Sequence, residues 1–390
     1  MIKICMLLNG PIKNDYRVIK TLTTLSKDAI IDLFYIDGET NDHLLFVDNI
    51  FLYSFDFENS FKRKVISHSL IGYEFNFFVS KVVKSGKSYD YIWANDLPTL
   101  YPAYKIANKL NSKLVYDSHE IYIETLNQFF PSKASFVKSI IFNSLLKIMK
   151  LHGNYIEKKI IKETHYFITV NNSILNYFKT EHKIKNSCVV MNFPYLHKPR
   201  VKKINLFQKN KWKRSSKLLL YQGVINKGRG IDIIIKTLNS LPDNFKLIII
   251  GDGPQKKELQ NLSLKLNLSK RIDFINKVPI NELLNYTSSC HLGFNLLENY
   301  NLSKKLASPN KLFEYIHSEV PVIATDTVEN NKVFCKYNIG KLVENNPNNI
   351  SEEINLIFKS DIDLFREECK KAKQEFNWEI QEHKILSIIK

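Results

Sequence analysis

The stretch SPNKLFEYIHSEVPVIAT, residues Ser308 to Thr325, decides the fold. Pro309 and Asn310 suit a helix start, KLFEYIH follows with apolar residues at helical spacing, and VPVIAT reads as a short apolar strand. A helix that leads straight into a strand with no polar face is the repeating unit of a parallel sheet covered on both sides. Two charged residues interrupt the helix. Lys311 stands beside the unpaired first amides, where the macrodipole disfavours a cation and an anion would resolve the conflict. Glu314 lies one turn further on the same side, and its two acceptor oxygens suit a vicinal diol such as ribose. A plain alternative is that Glu314 complements the helix dipole and pairs with Lys311.

The same alternation extends outward from this stretch. Upstream, KLLLYQG, FKLIIIGDG, IDFINKV and HLGFNLL read as strands separated by the helical patterns GIDIIIKTLNSL, PQKKELQNLSLKLN and INELLNYTSS. The first half repeats the scheme: IKICMLLN, IDLFYID, YDYIWAND, KLVYDSHE and YFITVNN are strands with helices between them. Ser132 to Thr164 lacks strand character and carries many lysines. It reads as a long amphipathic basic region of two helices broken near Gly153. The segment from Lys198 to Lys217 holds nine Lys or Arg and no acid, and reads as a linker. The expected organisation is therefore α/β, with two doubly wound, Rossmann-like domains. The first spans 1–195, a basic linker 196–216, the second domain 217–370, and a last helical segment 371–390. Ligands of such sheets bind outside the carboxyl ends of the strands, which two domains can turn toward a shared cleft.

The bulk numbers are those of a globular chain: 390 residues, 44% hydrophobic and 24% charged. A formal charge of +17 favours an anionic partner, whether nucleic acid, an acidic membrane leaflet or a phosphorylated small molecule. Five scattered cysteines without metal or redox spacing suggest a reducing, cytoplasmic setting. MIKICMLLNG reads as a buried first strand rather than a signal peptide, and no apolar window is long enough to span a membrane.

Further candidates fall at strand ends. YQGVINKGRGID (Tyr221–Asp232) is a strand ending in Gly223, a loop of glycines and bases, and a helix from Gly230. Its glycines permit close backbone approach, and Lys227 or Arg229 can reach a phosphate; an ordinary βα turn is the competing reading. Gly251 and Gly253 in IIIGDGPQKKEL pose the same choice. Asp117, His119 and Glu120 follow the strand KLVYDSHE, where clustered polar residues are site candidates, although a lone histidine is commonly structural. Asn95 and Asp96 end another strand, with Asp96 read by default as a helix cap. Glu298, Asn299, Tyr300 and Asn301 would line the edge of the second domain's site. No paired cysteines, H-E-x-x-H or other metal-ligand cluster is visible, so no metal is expected.

In this order the pieces SPNKLFEYIHSEVPVIAT, VYDSHE, ANDLPTLYPAYKIA, FITVNNSI, VVMNFP and YQGVINKGRGID resemble the retaining family 4 glycosyltransferases of GT-B fold, over nearly the whole chain. The resemblance implies a nucleotide-diphosphate sugar as co-substrate, bound by the second domain without a metal. The first domain would take a saccharide or polyprenyl-diphosphate-linked saccharide acceptor in surface glycan synthesis. It implies that Glu314 holds the ribose, that Arg229 meets the donor diphosphate with Lys311 and Lys227 near, and that Val278 lies by the base. Gly223, Gly230, Gly251, Gly253, Ser308 and Asn310 would border the donor. His119 would sit close to the transferred sugar, with Asn9, Gly10, Asp15, Asp96 and Glu120 on the acceptor side. Retention implies attack from the leaving-group side, with a phosphate oxygen taking the acceptor proton and no protein nucleophile. NWEIQEHKIL is similar to the family's closing helix, which crosses back to the first domain. The basic region 133–162 would contact an anionic inner membrane; a solvated charged face of a lysine-rich chain is the competing reading. The chain departs from the family pattern at Leu306, in place of a first glutamate, at Val224, in place of a basic residue, and at Asn95, in place of a histidine.

Two other classes fit the same architecture: a UDP-sugar 2-epimerase-like isomerase, and a noncatalytic nucleotide-sugar-binding partner subunit. Nucleic-acid binding rests only on the basic linker, with no recognisable RNA or DNA motif.

Overall fold

The computed structural model describes residues 1–36, 48–56, 70–129, 136–196, 202–298 and 301–390. Asn299 and Tyr300 lie outside the described residues, as do the first part of the basic region from Ser132 and part of the linker.

The chain divides into two compact units, Met1–Asn192 with Gln381–Lys390, and Phe193–Ile380. In the first, seven strands form one parallel sheet: β1 (Ile2–Leu8), β2 (Ala29–Ile36), β3 (Ile50–Phe55), β4 (Tyr91–Asn95), β5 (Lys113–Ser118), β6 (Tyr166–Thr169) and β7 (Ser187–Val189). Their order is β3-β2-β1-β4-β5-β6-β7. The helices between them include α1 (Tyr16–Leu25), α2 (Phe77–Lys84), α3 (Asp96–Leu110), α4 (Phe136–Ile160) and α5 (Asn172–Glu181). In the second unit β8 (Lys217–Gln222), β9 (Phe245–Ile250), β10 (Ile272–Ile275), β11 (Leu292–Asn295), β12 (Val322–Thr325) and β13 (Gly340–Val343) are again all parallel, in the order β10-β9-β8-β11-β12-β13. Its helices include α6 (Ile231–Ser240), α7 (Lys256–Lys265), α8 (Ile280–Thr287), α9 (Asn310–His317), α10 (Val328–Lys336), α11 (Pro347–Lys359) and α12 (Ile362–Glu375), and α13 spans Trp378–Leu386.

Each sheet runs outward from its first strand and then reverses, so the turning points lie between β1 and β4 and between β8 and β11. Crevices form outside the carboxyl ends of such strand pairs. The strands that flank them are buried almost throughout. Ile4 to Leu7, Ile92 to Ala94 and Leu218 to Tyr221 are at most 1% exposed, which is why these runs are continuously apolar and do not alternate.

The opening stretch folds as read, with α9 delivering the chain into β12. The expected break at Gly153 is corrected. α4 runs through it unbroken, and a Cβ there would come 2.9 Å from the Ile71 side chain, so the glycine allows close packing. Residues 202–216 include a short helix at Leu206–Lys209, and the amides of Lys202 and Ile204 donate to Asn285 and Ser289. At the other end of the chain, Glu382 pairs with Lys27 at 2.7 Å and Lys384 donates to the Val189 carbonyl, tying this segment to the first unit. Among the described residues no helix is long and apolar enough to cross a membrane.

Candidate functional site

In the second unit the candidate residues converge on the carboxyl end of β8. Gln222, the last residue of that strand, is fully buried. Its side-chain amide donates to Glu314 at 2.5 Å, and its carbonyl oxygen accepts from the Thr287 hydroxyl at 2.7 Å. This chain of bonds fixes the rotamer of Glu314 on the first turns of α9. Tyr315 behind it is buried, and its hydroxyl receives the Gln222 amide. Gly223 follows with φ of +126°, and a Cβ there would touch nothing closer than the Tyr221 hydroxyl at 3.9 Å. The space above this glycine is therefore open to a ligand.

The other glycines answer to packing. A Cβ on Gly251 would lie 1.9 Å from the Gly223 carbonyl, one on Gly253 2.3 Å from that of Ile225, and one on Gly230 2.7 Å from Leu296. Gly251 and Gly253 are small because the loops after β8 and β9 press backbone to backbone, and Gly230 because the Leu296 side chain packs against it.

Cations gather at this place. Lys311 is 8% exposed, and its ammonium lies 4.2 Å from the centre of the Tyr221 ring with no hydrogen-bond partner among the described residues. Burial first, and then the field of Arg229, push its pKa well below the usual lysine value, against the pull of Glu314. Arg229 itself, half-buried, makes no ion pair with a described residue. Lys304, on the short helix Leu302–Lys305, is brought down to about 8 by burial and by Arg229, while Glu298 acts the other way. Its ammonium reaches the Lys227 carbonyl at 3.0 Å. The Lys227 side chain is exposed, Ser308 is half-buried, Asn310 opens α9, and Val278 stands apart, past the edge strand β10. Sequence reading passed over Gln222, Thr287 and Lys304. The only sign of them in the chain was the position of Gln222 next to Gly223.

A cavity of about 650 Å³ also opens in this unit, but beyond the amino ends of β11 and β12, where Cys290 and Val320 line it. Three of the cations that line it are paired, Arg366 with Asp363, Lys370 with Glu367 and Lys373 with Glu319.

In the first unit His119 is the centre of a carboxylate cluster. Its Nδ1 lies 3.2 Å from Asp96 and 3.9 Å from Asp15, and its Nε2 3.7 Å from Asp117. Burial alone would lower its pKa, but Asp96 and then Asp117 outweigh it and hold the ring protonated well above the usual range. Asp117 is in turn clamped by Arg17, through Nη2 at 2.6 Å and Nε at 3.3 Å, and Arg17 also donates to the Val190 carbonyl. Although buried, Asp117 is kept well below the usual carboxylate range by Arg17 and His119. Arg17 was not singled out from the sequence; only the proximity of α1 to β5 reveals it.

Asp96 differs from its default reading as a cap. Asn95 holds the cap position, and its side chain donates instead to the Leu7 carbonyl. Asp96 has φ of 60°, a left-handed value strained for this residue type, and its carboxylate accepts from the His119 amide at 2.8 Å. Asp15 caps α1 through the Val18 amide. Gly10, with φ of +129°, has nothing within 4 Å of where a Cβ would be, and Asn9 beside it is exposed. Glu120 is half-buried, and its carbonyl accepts from Ser118. Among the described residues no group of three or more His, Cys, Asp or Glu is arranged to hold a metal ion.

Two parallel, Rossmann-like sheets with polar clusters at their turning points define the GT-B fold. Residues 202–376, most of the second unit, match the family model described as Glycosyl transferases group 1. An uncharacterized glycosyltransferase of Methanocaldococcus jannaschii is 29% identical over 163 residues, 41% of this chain and 44% of that protein, so the chain spans less than half of this curated relative. Among solved structures, sucrose-phosphate synthase from Thermosynechococcus elongatus superposes with a TM-score of 0.75 at 14% identity, over 100% of this chain and 98% of that one. HepE of Anabaena, in complex with UDP and glucose, gives 0.72 at 16% over 99% of both chains. WaaG, a glycosyltransferase involved in lipopolysaccharide biosynthesis, gives 0.68 at 16% over 100% and 99%. At such identities the likeness is one of fold.

Proposed function

We propose that this protein is a retaining glycosyltransferase that moves a sugar from a nucleotide-diphosphate sugar to a hydroxyl of a saccharide or lipid-linked saccharide. The observation that carries the reading is Lys311, a buried side-chain amine without a hydrogen-bond partner among the described residues, at the amino end of α9, which has no side-chain cap. Such a group is costly to fold unless an anion takes it up. A diphosphate lying over Gly223 would meet Lys311, Arg229 and the helix end together, and Glu314, held by Gln222, would accept from both ribose hydroxyls.

The chemistry follows from charge. As the anomeric bond breaks, negative charge grows on the departing diphosphate. Preorganised cations and amides stabilise that charge without a metal step. The acceptor hydroxyl attacks from the same side, and a diphosphate oxygen takes its proton. On the first unit, protonated His119 can donate to a substrate oxygen while Asp96, Asp117 and Asp15 keep it charged.

A lipid-linked acceptor, in surface glycan synthesis on the inner face of the membrane, is favoured by one feature of α4. Ile141, Ile148, Leu151 and Tyr155 form an exposed apolar stripe along it, accompanied by the exposed Lys147, Lys158 and Lys159. An apolar stripe flanked by bases fits an anionic lipid surface, where each lysine contributes about 1 kcal/mol.

The test is a thermal-shift screen with UDP, GDP, TDP, CDP and their sugars. One nucleoside diphosphate should raise the melting temperature, since ligand at a hundredfold excess over Kd stabilises by about 2.7 kcal/mol. No response to any of them at millimolar concentration would sink the donor reading.

A further inference from the structure

Arg17 is buried at the first unit's site, yet nothing in the chemistry above uses it. α1 opens with Asp15 as its cap and carries Arg17 two residues on, so one helix start brings an acid and a base to the carboxyl end of β5. The Arg17 and Asp117 side chains are 4% and 2% exposed. Arg17 Nη2 donates to Asp117 Oδ1 at 2.6 Å and Nε to Oδ2 at 3.3 Å, while Nη1 donates to the Val190 carbonyl just past β7. A guanidinium presents its donors in a rigid planar fork, so these bonds leave Asp117 one orientation.

Asp117 Oδ2 is also the oxygen that faces His119 Nε2, at 3.7 Å, beyond hydrogen-bond distance. Two donors thus compete for one oxygen, and Arg17 Nε holds it. The opposite edge of the ring is set by Asp96 in its left-handed conformation. One oxygen of Asp96 accepts the His119 amide at 2.8 Å, and the other lies 3.2 Å from Nδ1.

We propose that Arg17 is a positioning residue for His119 and acts through Asp117: its grip on Oδ2 keeps that carboxylate close enough to favour the imidazolium but too far to lock Nε2 into an ion pair. This rests on the reading of His119 as a protonated group that faces substrate. With an ion pair formed at Nε2, a substrate oxygen would have to displace a buried carboxylate to reach the ring. The charges that face the ring are Asp15 from α1, Asp96 from α3 and Asp117 from β5, with Glu120 next in the chain. Those that face Asp117 are Arg17 and His119, with Cys188 of β7 near. The sign follows. Release of Oδ2 toward Nε2 strengthens the attraction on the charged ring and raises its titration, whereas removal of the Asp117 charge lowers it.

The experiment is an NMR titration of the full chain, labelled with carbon-13 at histidine Cε1, from pH 5.5 to 10.5. His119, one of ten histidines, is assigned by the signal lost in His119→Gln. Wild type, Arg17→Lys, Asp117→Asn and the double variant Arg17→Met with Asp117→Asn are compared after a thermal melt confirms that each is folded. The double variant removes the buried pair together and so avoids the unpaired carboxylate that Arg17→Met alone would leave. Lysine keeps the charge and can reach Oδ1, but it has no second donor for Oδ2. Arg17→Lys should therefore raise the His119 titration by about one unit. Asp117→Asn should lower it by about as much. The double variant should match Asp117→Asn, because an effect that runs through Asp117 ends where that residue has no charge. An unchanged or lowered titration in Arg17→Lys would overturn the proposal. So would a double variant that differs from Asp117→Asn, since Arg17 would then act on the ring directly. If the wild-type ring titrates in the ordinary histidine range, the imidazolium reading falls and this proposal falls with it. A wild-type ring that stays charged but is indifferent to Arg17 defeats this proposal alone.

Discussion

At the scale of single residues, the second unit uses one carboxylate and its support. Glu314 is held by Gln222, which is held by Thr287, so its oxygens are aimed before any ligand arrives. Removing it should therefore cost affinity for the nucleotide, and some stability too, because the buried Gln222 amide loses its acceptor. Two hydrogen bonds to a charged acceptor are worth about 1.5–3 kcal/mol each. Glu314→Ala should thus weaken the cognate nucleoside diphosphate at least tenfold by calorimetry, and unchanged affinity would end the ribose assignment. Arg229→Ala should lower turnover in a variant that melts like the wild type; a folded variant with full turnover would count against its role. Glu314, Arg229 and Lys311 could be singled out as candidates because they stand in or beside strand-loop-helix patterns. Gln222, Thr287, Arg17 and Lys304 were not. Each acts on a neighbour distant in sequence, and nothing local distinguishes a lysine that reaches a loop carbonyl from one in water.

At the scale of elements, the glycine loops separate into two kinds. Gly223 is open above, whereas Gly251 and Gly253 are filled by the backbone of the loop after β8. Gly251→Ala would place a Cβ 1.9 Å from a carbonyl oxygen at a φ of +146°, and backbone cannot yield as a side chain does. A loss of about 3 kcal/mol or more is expected from this clash. Chemical denaturation measures it, and an unchanged midpoint would contradict the packing role. Sequence alone left these glycines balanced between turn and ligand contact, because both uses select the same residue. The buried strands were clear from their continuous apolar runs. β3, β7 and β13 were not, since they lie at or near sheet edges and SCV or GKLV is too short and too polar to stand out. Gly153 misled for a related reason: a helix breaker in isolation is, in α4, the residue that lets Ile71, Ile123 and Leu97 come close.

At the scale of the whole molecule, the chain carries a charge of +17 and an exposed apolar stripe on α4, and the proposed membrane contact makes both testable. Cosedimentation with vesicles containing phosphatidylglycerol should exceed that with neutral vesicles and should fall as salt rises from 50 to 300 mM, values set by screening on the order of 10 Å. Ile148→Glu with Leu151→Glu should reduce it severalfold while leaving nucleotide binding intact. Equal binding of the double variant would show that charge alone suffices and would remove α4 from the interface. What the sequence determined by itself was the alternation of apolar strands and helices, the two-domain α/β plan, and the residues at strand ends. Those follow from local periodicity and from turn chemistry, which neighbours along the chain are enough to specify. Only the tertiary structure decided which polar groups meet: Arg17 with Asp117, Asp96 with His119, Gln222 with Glu314 and Lys304 with the loop of Arg229. Parallel strands bring together residues far apart in the chain, and the energies of buried charges depend on those distances and on exclusion of water, neither of which is written in local sequence.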